Sequence, residues 1–243
     1  MANSIGLVGF GSFGKFIFSY LSPYFELKVH DENISKGTLS KFKINNESLE
    51  DVCQCDVIIL AIPVQFLEKT IVRITSFINK KALVIDVSSV KERPVEMMLN
   101  LLPKTVDILG THPLFGPQSG ANGISGLNMV VCPVRIHDVK LRYIIQFLED
   151  ELELNLLKRT PEVHDKQMAY VQALTHFIGR AINEIDIPDI EQKTPAYQFL
   201  LNIKKNLGKD SLDLFLTIER ENPYAENVLD EFLSELQRLR DMI

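Results

Sequence analysis

The chain has 243 residues, 46% apolar and 24% charged, which suits a water-soluble globular protein of one large domain or two small ones. A formal net charge of −6 provides no basic field for nucleic acid, so an anionic ligand would need local positive charge. No apolar run approaches the ~20 residues that cross a bilayer. Met1-Ala2-Asn3-Ser4 leads straight into an apolar run without the pattern of a secretory signal, so a cytoplasmic protein with no membrane contact is expected.

Short apolar runs alternate with helical patterns in the first two thirds, the sequence form of βαβ units. Ser4 to Val8 reads as a strand, and Lys15 to Leu21 as a helix that stops near Ser22-Pro23. Glu26 to Asp31 reads as a second strand and Phe42-Lys43-Ile44 as a short third one. Asp56 to Pro63 is a near-continuous apolar run, as a strand covered on both faces requires. Ala82 to Asp86 and Asn128 to Val131 have the same form, and Leu152 to Leu157 reads as the last strand.

Beyond Arg159 the pattern is helical: Pro161 to Glu184, Ala196 to Leu207, Ser211 to Arg220 and Pro223 to Met242. Thr160-Pro161 and Asn222-Pro223 each combine a capping side chain with Pro at the first helical position. Val228, Leu229, Phe232, Leu233, Leu236 and Leu239 form an apolar stripe at helical spacing. The expected fold is α/β: a Rossmann-like dinucleotide-binding domain over residues 1–157, then an all-α domain over 158–243 whose spare apolar face suits dimerisation.

The first strand ends in Gly9-Phe10-Gly11-Ser12-Phe13-Gly14, followed by a helix and by an acidic residue, Asp31, about 20 positions on. Gly9 permits the tight turn, Gly11 lets a pyrophosphate approach the backbone, and Gly14 allows close packing of helix on strand. The amides at the helix start suit an anion. Asp31 suits the ribose hydroxyls of NAD. With Glu32 beside it and no arginine following, NAD is favoured over NADP. Ala61-Ile62-Pro63, at the end of another strand, is expected to line the cofactor.

Thr111-His112-Pro113-Leu114-Phe115-Gly116-Pro117-Gln118-Ser119-Gly120 places a histidine after an apolar run, in a stretch that reads as loop because of its Gly and Pro. A histidine beside a bound nicotinamide can take a proton from an alcohol while hydride leaves the same carbon, so an oxidoreductase is expected. Cys53, Cys55 and Cys132 are an odd count without metal-ligand spacing and read as reduced structural thiols, with no metal expected. His30 and His137 read as a strand-end and a helix-start residue.

Gly9 to Gly14, Asp86-Val87-Ser88-Ser89-Val90-Lys91, His112 to Pro117, and His164-Asp165 through Thr175-His176-Phe177 occur in the order seen in prephenate and arogenate dehydrogenases. The sequence resembles that family over nearly its whole length. Its C-terminal part, Thr194 to Leu201 with Asp210 to Phe215, looks most like the plant arogenate dehydrogenases. The resemblance implies NAD-dependent oxidative decarboxylation of prephenate or arogenate on the route to tyrosine, by a homodimer joined through the helical domain. It implies His112 as general base, Ser89 as a hydrogen-bonding partner of the same hydroxyl, Ser88 near the cofactor and His176 near the substrate. Ser89 could equally cap the helix that follows. His164, twelve residues before His176 and about 120° away on the same predicted helix, does not easily face the same small ligand; since the resemblance picks His176, His164, nearer the helix start, reads as structural.

Two positions depart from the family pattern. Gln198 and Gln118 stand where many members have an arginine and a glutamate, leaving Arg180, one turn beyond His176, or Lys193 as cations for the ring carboxylate. Two other readings stay open. A related β-hydroxyacid dehydrogenase or imine reductase would rely on a helical-domain lysine near a glycine, but Lys166 lies more than three turns from Gly179. The neutral replacements would also suit an NAD-binding sensor without catalysis.

Overall fold

The computed structural model describes residues 4–207 and 211–243. Seven strands form one sheet in the order β2-β1-β3-β4-β5-β6-β7. They are β1 (Ser4–Val8), β2 (Glu26–His30), β3 (Val57–Leu60), β4 (Leu83–Asp86), β5 (Asp107–Pro113), β6 (Asn128–Arg135) and β7 (Asn155–Lys158). Neighbours are parallel except β5 and β6, which pair antiparallel. The helices of this part are α1 (Ser12–Leu21), α2 (Lys36–Phe42), α3 (Leu49–Cys53), α4 (Leu67–Thr75), α5 (Glu92–Leu101) and α6 (Asp138–Gln146).

Strand alternation sorts the core into two layers. Ile58, Leu60, Val84 and Ile108 face α3, α4 and α5, whereas Ile5, Leu7, Val29 and Ile59 face α1. Leu83, Leu109 and Val131 face α6 on that second side. Coverage of both faces explains why β3 and β4 read as unbroken apolar runs.

The expected strand at Phe42-Lys43-Ile44 is absent. Ser35 accepts a hydrogen bond from the Thr38 amide and starts α2, and Lys43 ends it in the left-handed region (φ 54°). Phe42 meets Phe10 and Phe18 edge-on, so its burial comes from a helix rather than from a strand. A single parallel bridge joins Val29 and Asn46 nearby.

The helical part contains α7 (Pro161–Met168), α8 (Thr175–Ile185), α9 (Pro195–Leu207), α10 (Leu212–Glu221) and α11 (Ala225–Arg240). The expected single helix from Pro161 is interrupted by wider π-type turns over Ala169–Leu174. Thr160 caps α7 as its sequence suggests, accepting from the Val163 amide at 3.2 Å. Asn222 does not cap α11. Its side chain donates to the Asp165 carbonyl and accepts from the Tyr224 amide, and the helix begins later. Gly179 lets α8 approach α9, since a Cβ there would lie 2.7 Å from a Leu207 methyl. Phe199, Leu233, Leu236 and Leu239 remain exposed.

Two compact units result, Met1–His164 and Asp165–Ile243. The division falls inside α7, seven residues beyond the expected boundary, because His164 packs against the sheet-bearing unit. Among the described residues no helix is long and apolar enough to cross a membrane. The three cysteines are buried and in no disulfide, and burial pushes the Cys53 thiol up to about 12.

Candidate active site

The parallel register aligns the strand ends. Val8 lies opposite both His30 and Leu60, Leu60 opposite Asp86, and Asp86 opposite Gly110. Asp31, Gly9, Ala61 and Val87 therefore follow one another along the carboxyl edge of the sheet, where doubly wound folds bind ligands.

The glycine loop has the geometry its spacing implies. Gly9 has φ +98°, and a Cβ there would lie 2.4 Å from the Ala61 carbonyl oxygen. A Cβ on Gly14 would lie 2.3 Å from the Gly9 oxygen, so the helix packs against the turn itself. Gly11 differs from both, since no protein atom lies within 4 Å of a Cβ built there, which leaves its backbone open to a ligand. Gly11 precedes α1 with no side-chain cap, so the amides of Ser12, Phe13 and Gly14 are not occupied by a capping group. Ile62 packs on Gly9, and Pro63 leads into a 3-10 turn.

Asp31 closes this region. One carboxylate oxygen accepts from the Phe10 amide at 2.6 Å and the other from the Asn33 amide at 2.7 Å. The backbone of Asp31 exchanges two hydrogen bonds of 3.0 Å with the Asn46 side chain. The neighbouring Glu32 pairs with Arg73 of α4, whose guanidinium holds that carboxyl below its usual range. The sequence reading found no arginine here, but the fold brings one from 41 positions away. These features fit a dinucleotide.

His112 lies inside β5 rather than in a loop. β4 ends at Asp86 opposite Gly110, whereas β5 continues to Pro113 because antiparallel β6 supports it, with His112 opposite Val130. Alternation puts Thr111 and Pro113 on the α1/α6 face, where they line an apolar cavity of about 760 Å³, and turns His112 to the other face. On that face Gly110 leaves room for Lys91, whose Cδ would lie 3.4 Å from a Cβ at Gly110.

Lys91 is fully buried, paired with Asp86 and donating to the Thr111 carbonyl at 2.7 Å. The Thr111 hydroxyl donates to the Asp86 carbonyl at 2.8 Å, which ties β5 to the end of β4. Ser88 donates from its amide to Asp86 and from its hydroxyl to the Val90 carbonyl. Ser89 is half-buried in the bend after β4. It is not a helix cap, since α5 begins at Glu92 with Lys91 at the cap position.

The His112 ring meets His164. His112 Nδ1 and His164 Nε2 are 2.9 Å apart, both rings are buried, and they meet edge-on at a centroid distance of 5.1 Å. Burial, then His164 and then Lys91 hold the His112 imidazole well below its ordinary pKa, so it is neutral at neutral pH. Sequence reasoning treated His164 as structural and gave Lys91 no role, although both lie in the quoted motifs.

Gln118 is exposed in the turn where Ser119 accepts from the Gly116 amide at 2.9 Å. In the helical unit, His176 is half-buried and Arg180 lies one turn further on. Arg180 pairs with Glu184 at 3.1 Å and lies over the Phe215 ring. Gln198 donates to Asn202 at 3.1 Å, and Lys193 pairs with Asp189 at 2.6 Å, so each of these groups has a local partner. Lys166 lies over the Tyr224 ring. Asp210 lies outside the described residues.

A glycine loop, an acidic second-strand end and a buried neutral histidine along one sheet edge are the arrangement of a nicotinamide-dependent dehydrogenase. Residues 28–152 match the nucleotide-binding domain of prephenate dehydrogenase, and residues 160–243 match its dimerization domain. The chain belongs to the prephenate dehydrogenase family. It is 32% identical over 98% of its length to arogenate dehydrogenase 2, chloroplastic, of Arabidopsis thaliana, and spans 67% of that protein. It is 30% identical over 98% of its length to arogenate dehydrogenase 1, chloroplastic, of the same plant, and spans 39% of it. The fold matches prephenate dehydrogenase from A. aeolicus, solved in complex with hydroxyphenyl propionate and NAD+. That match has a TM-score of 0.75 at 19% identity, over 100% of this chain and 91% of the other.

Proposed function

We propose that this chain catalyses NAD-dependent oxidative decarboxylation of arogenate or prephenate, with arogenate preferred, and acts as a homodimer through its helical unit. The observation that carries the reading is His112, buried and held neutral on the sheet edge that also bears the open Gly11 backbone and Asp31. The two relatives named arogenate dehydrogenase support the choice of substrate. The match to a dimerization domain and the exposed Leu233, Leu236 and Leu239 support the dimer.

NAD, held by Gly9 to Gly14 and Asp31 and lined by Ala61, Ile62, Pro63 and Ser88, would accept the hydride. His112 takes the proton of the ring hydroxyl as the electron pair of the carbinol C–H bond departs as hydride. The ketone that forms is conjugated with the ring carbon bearing the carboxylate. The bond to that carboxylate breaks, its electron pair enters the ring, and carbon dioxide leaves. The phenoxide recovers its proton from His112, which ends the cycle neutral. By family resemblance, Ser89 shares the hydroxyl with His112, and Gln118, His176, Arg180 and Gln198 contact the rest of the substrate.

NADH formation, followed by absorbance with arogenate and prephenate in parallel, tests the reading. Turnover of either establishes the dehydrogenase, and a higher kcat/KM for arogenate establishes the preference. Silence with both, in protein shown to bind NAD, overturns it in favour of a sensor. Light scattering tests the dimer, with a monomer at micromolar concentration as the contrary result.

A further inference from the structure

We propose that His164 is a positioning residue for His112, fixing its tautomer so that Nδ1 carries the hydrogen and Nε2 carries the lone pair that accepts the substrate's proton. The inference rests on the reading of His112 as the base and adds a second residue to the proton-transfer unit.

The two facing nitrogens are 2.9 Å apart, a distance at which one must donate and the other accept. Two N–H groups could not face each other at that separation, so the pair holds one hydrogen between the rings. If His164 donated, His112 would carry its hydrogen on Nε2, the nitrogen not engaged by His164, and would have no lone pair to offer there. If His112 donates, the base faces outward and His164 Nε2 is a neutral acceptor. When His112 gains the substrate's proton, the developing charge strengthens that same hydrogen bond.

The surroundings hold this geometry. On the β5 side the Thr111 carbonyl is held by Lys91 at 2.7 Å and the Thr111 hydroxyl by the Asp86 carbonyl at 2.8 Å. On the α7 side the His164 amide donates to the Thr160 carbonyl at 2.9 Å, while the Thr160 hydroxyl caps the same turn. Lys91, paired with Asp86, is the charged side chain acting on His112, and Asp165, adjacent to His164 in sequence, is fully buried. A carboxylate in place of His164 would pull the His112 pKa up, whereas a neutral imidazole orients the base and leaves it unprotonated at neutral pH.

The test is ¹⁵N NMR of histidine-labelled protein with kinetics of two variants. In the unsubstituted protein near neutral pH, the His112 signals should be those of the Nδ1–H tautomer, and an Nε2–H signature overturns the proposal. This readout needs no turnover, so it stands apart from any failure of the substrate assignment. His164→Leu, which removes the acceptor, should lower kcat by about 10²-fold with KM and NAD affinity little changed, and should shift His112 toward Nε2–H. His164→Gln, which returns an acceptor at similar reach, should recover most of kcat and the Nδ1–H signal. A His164→Leu protein with kcat within about threefold of the original, or with reduced kcat but an unchanged tautomer, overturns it. Should His164→Leu fail to fold, the tautomer of the unsubstituted protein and the His164→Gln kinetics decide the matter.

Discussion

Lys91 and Asp86 form an ion pair with no solvent exposure, five residues apart between the end of β4 and the start of α5. Lys91 also holds the carbonyl of Thr111, the residue before His112. The pair therefore fixes the strand that presents His112. Removing one partner would strand a buried charge, so Lys91→Met or Asp86→Asn should each destabilise the protein by about 3–5 kcal/mol. Replacing both with apolar residues should cost less than either single change. Chemical denaturation of the three variants checks this, and two harmless single substitutions would refute it.

His112 must be neutral to accept a proton, and its pKa lies well below 6.5 through burial, His164 and Lys91. The protonated, inactive form should accumulate only under distinctly acidic conditions. A profile of kcat/KM should be level through neutral pH and fall on an acid limb centred below 6.5. A limb at or above the ordinary histidine value would contradict the assignment. His112→Asn should keep NAD affinity nearly intact while lowering turnover by ~10²–10⁴-fold. Equal loss of both would make the residue structural.

Gly9 and Gly11 should respond differently to the same methyl group. Gly9→Ala combines positive φ with a 2.4 Å approach to the Ala61 carbonyl and should lower the melting temperature as well as NAD affinity. Gly11→Ala meets no protein atom within 4 Å, so folding should be unaffected while NAD binding weakens by about tenfold or more, ~1.4 kcal/mol. Thermal melts beside titrations separate the two. A Gly11→Ala protein that binds NAD normally would place the pyrophosphate elsewhere.

Glu32 occupies Arg73 with a carboxylate beside the residue expected to hold the ribose. Glu32→Ala would remove a negative charge and release a guanidinium suited to a phosphate. The ratio of kcat/KM with NADP to that with NAD should rise by about tenfold. An unchanged ratio in steady-state kinetics would show that the Arg73 guanidinium does not reach the 2′ position.

The local signals in the sequence were reliable where one segment decides the outcome. The glycine loop, the apolar runs of β3 and β4 and the cap at Thr160 needed no distant partner to be recognised. Phe42-Lys43-Ile44 was too short for its alternation to separate a strand from a helix end, and Ser35 settled it as a helix. The contact of His164 with His112 was hidden for another reason. About 120° separates His164 from His176 only on uniform α-helical turns, and the π-type stretch at Ala169–Leu174 departs from them. The contact with His112 joins positions 52 residues apart, which no local pattern reports. Arg73 reached Glu32 by the same kind of long-range approach, and Lys91 was visible only as part of a motif.

His112 sits in a ladder, opposite Val130, with the next chain segment beginning only after Pro113. His112 is therefore held by strand pairing rather than by the Leu114–Leu127 connection, whose Phe115, Ile124 and Leu127 pack in a separate apolar cluster. On the proposed function, substitution at the exposed Gln118 would change what the substrate meets while the ladder that presents His112 keeps its place, so selectivity and proton transfer could evolve separately.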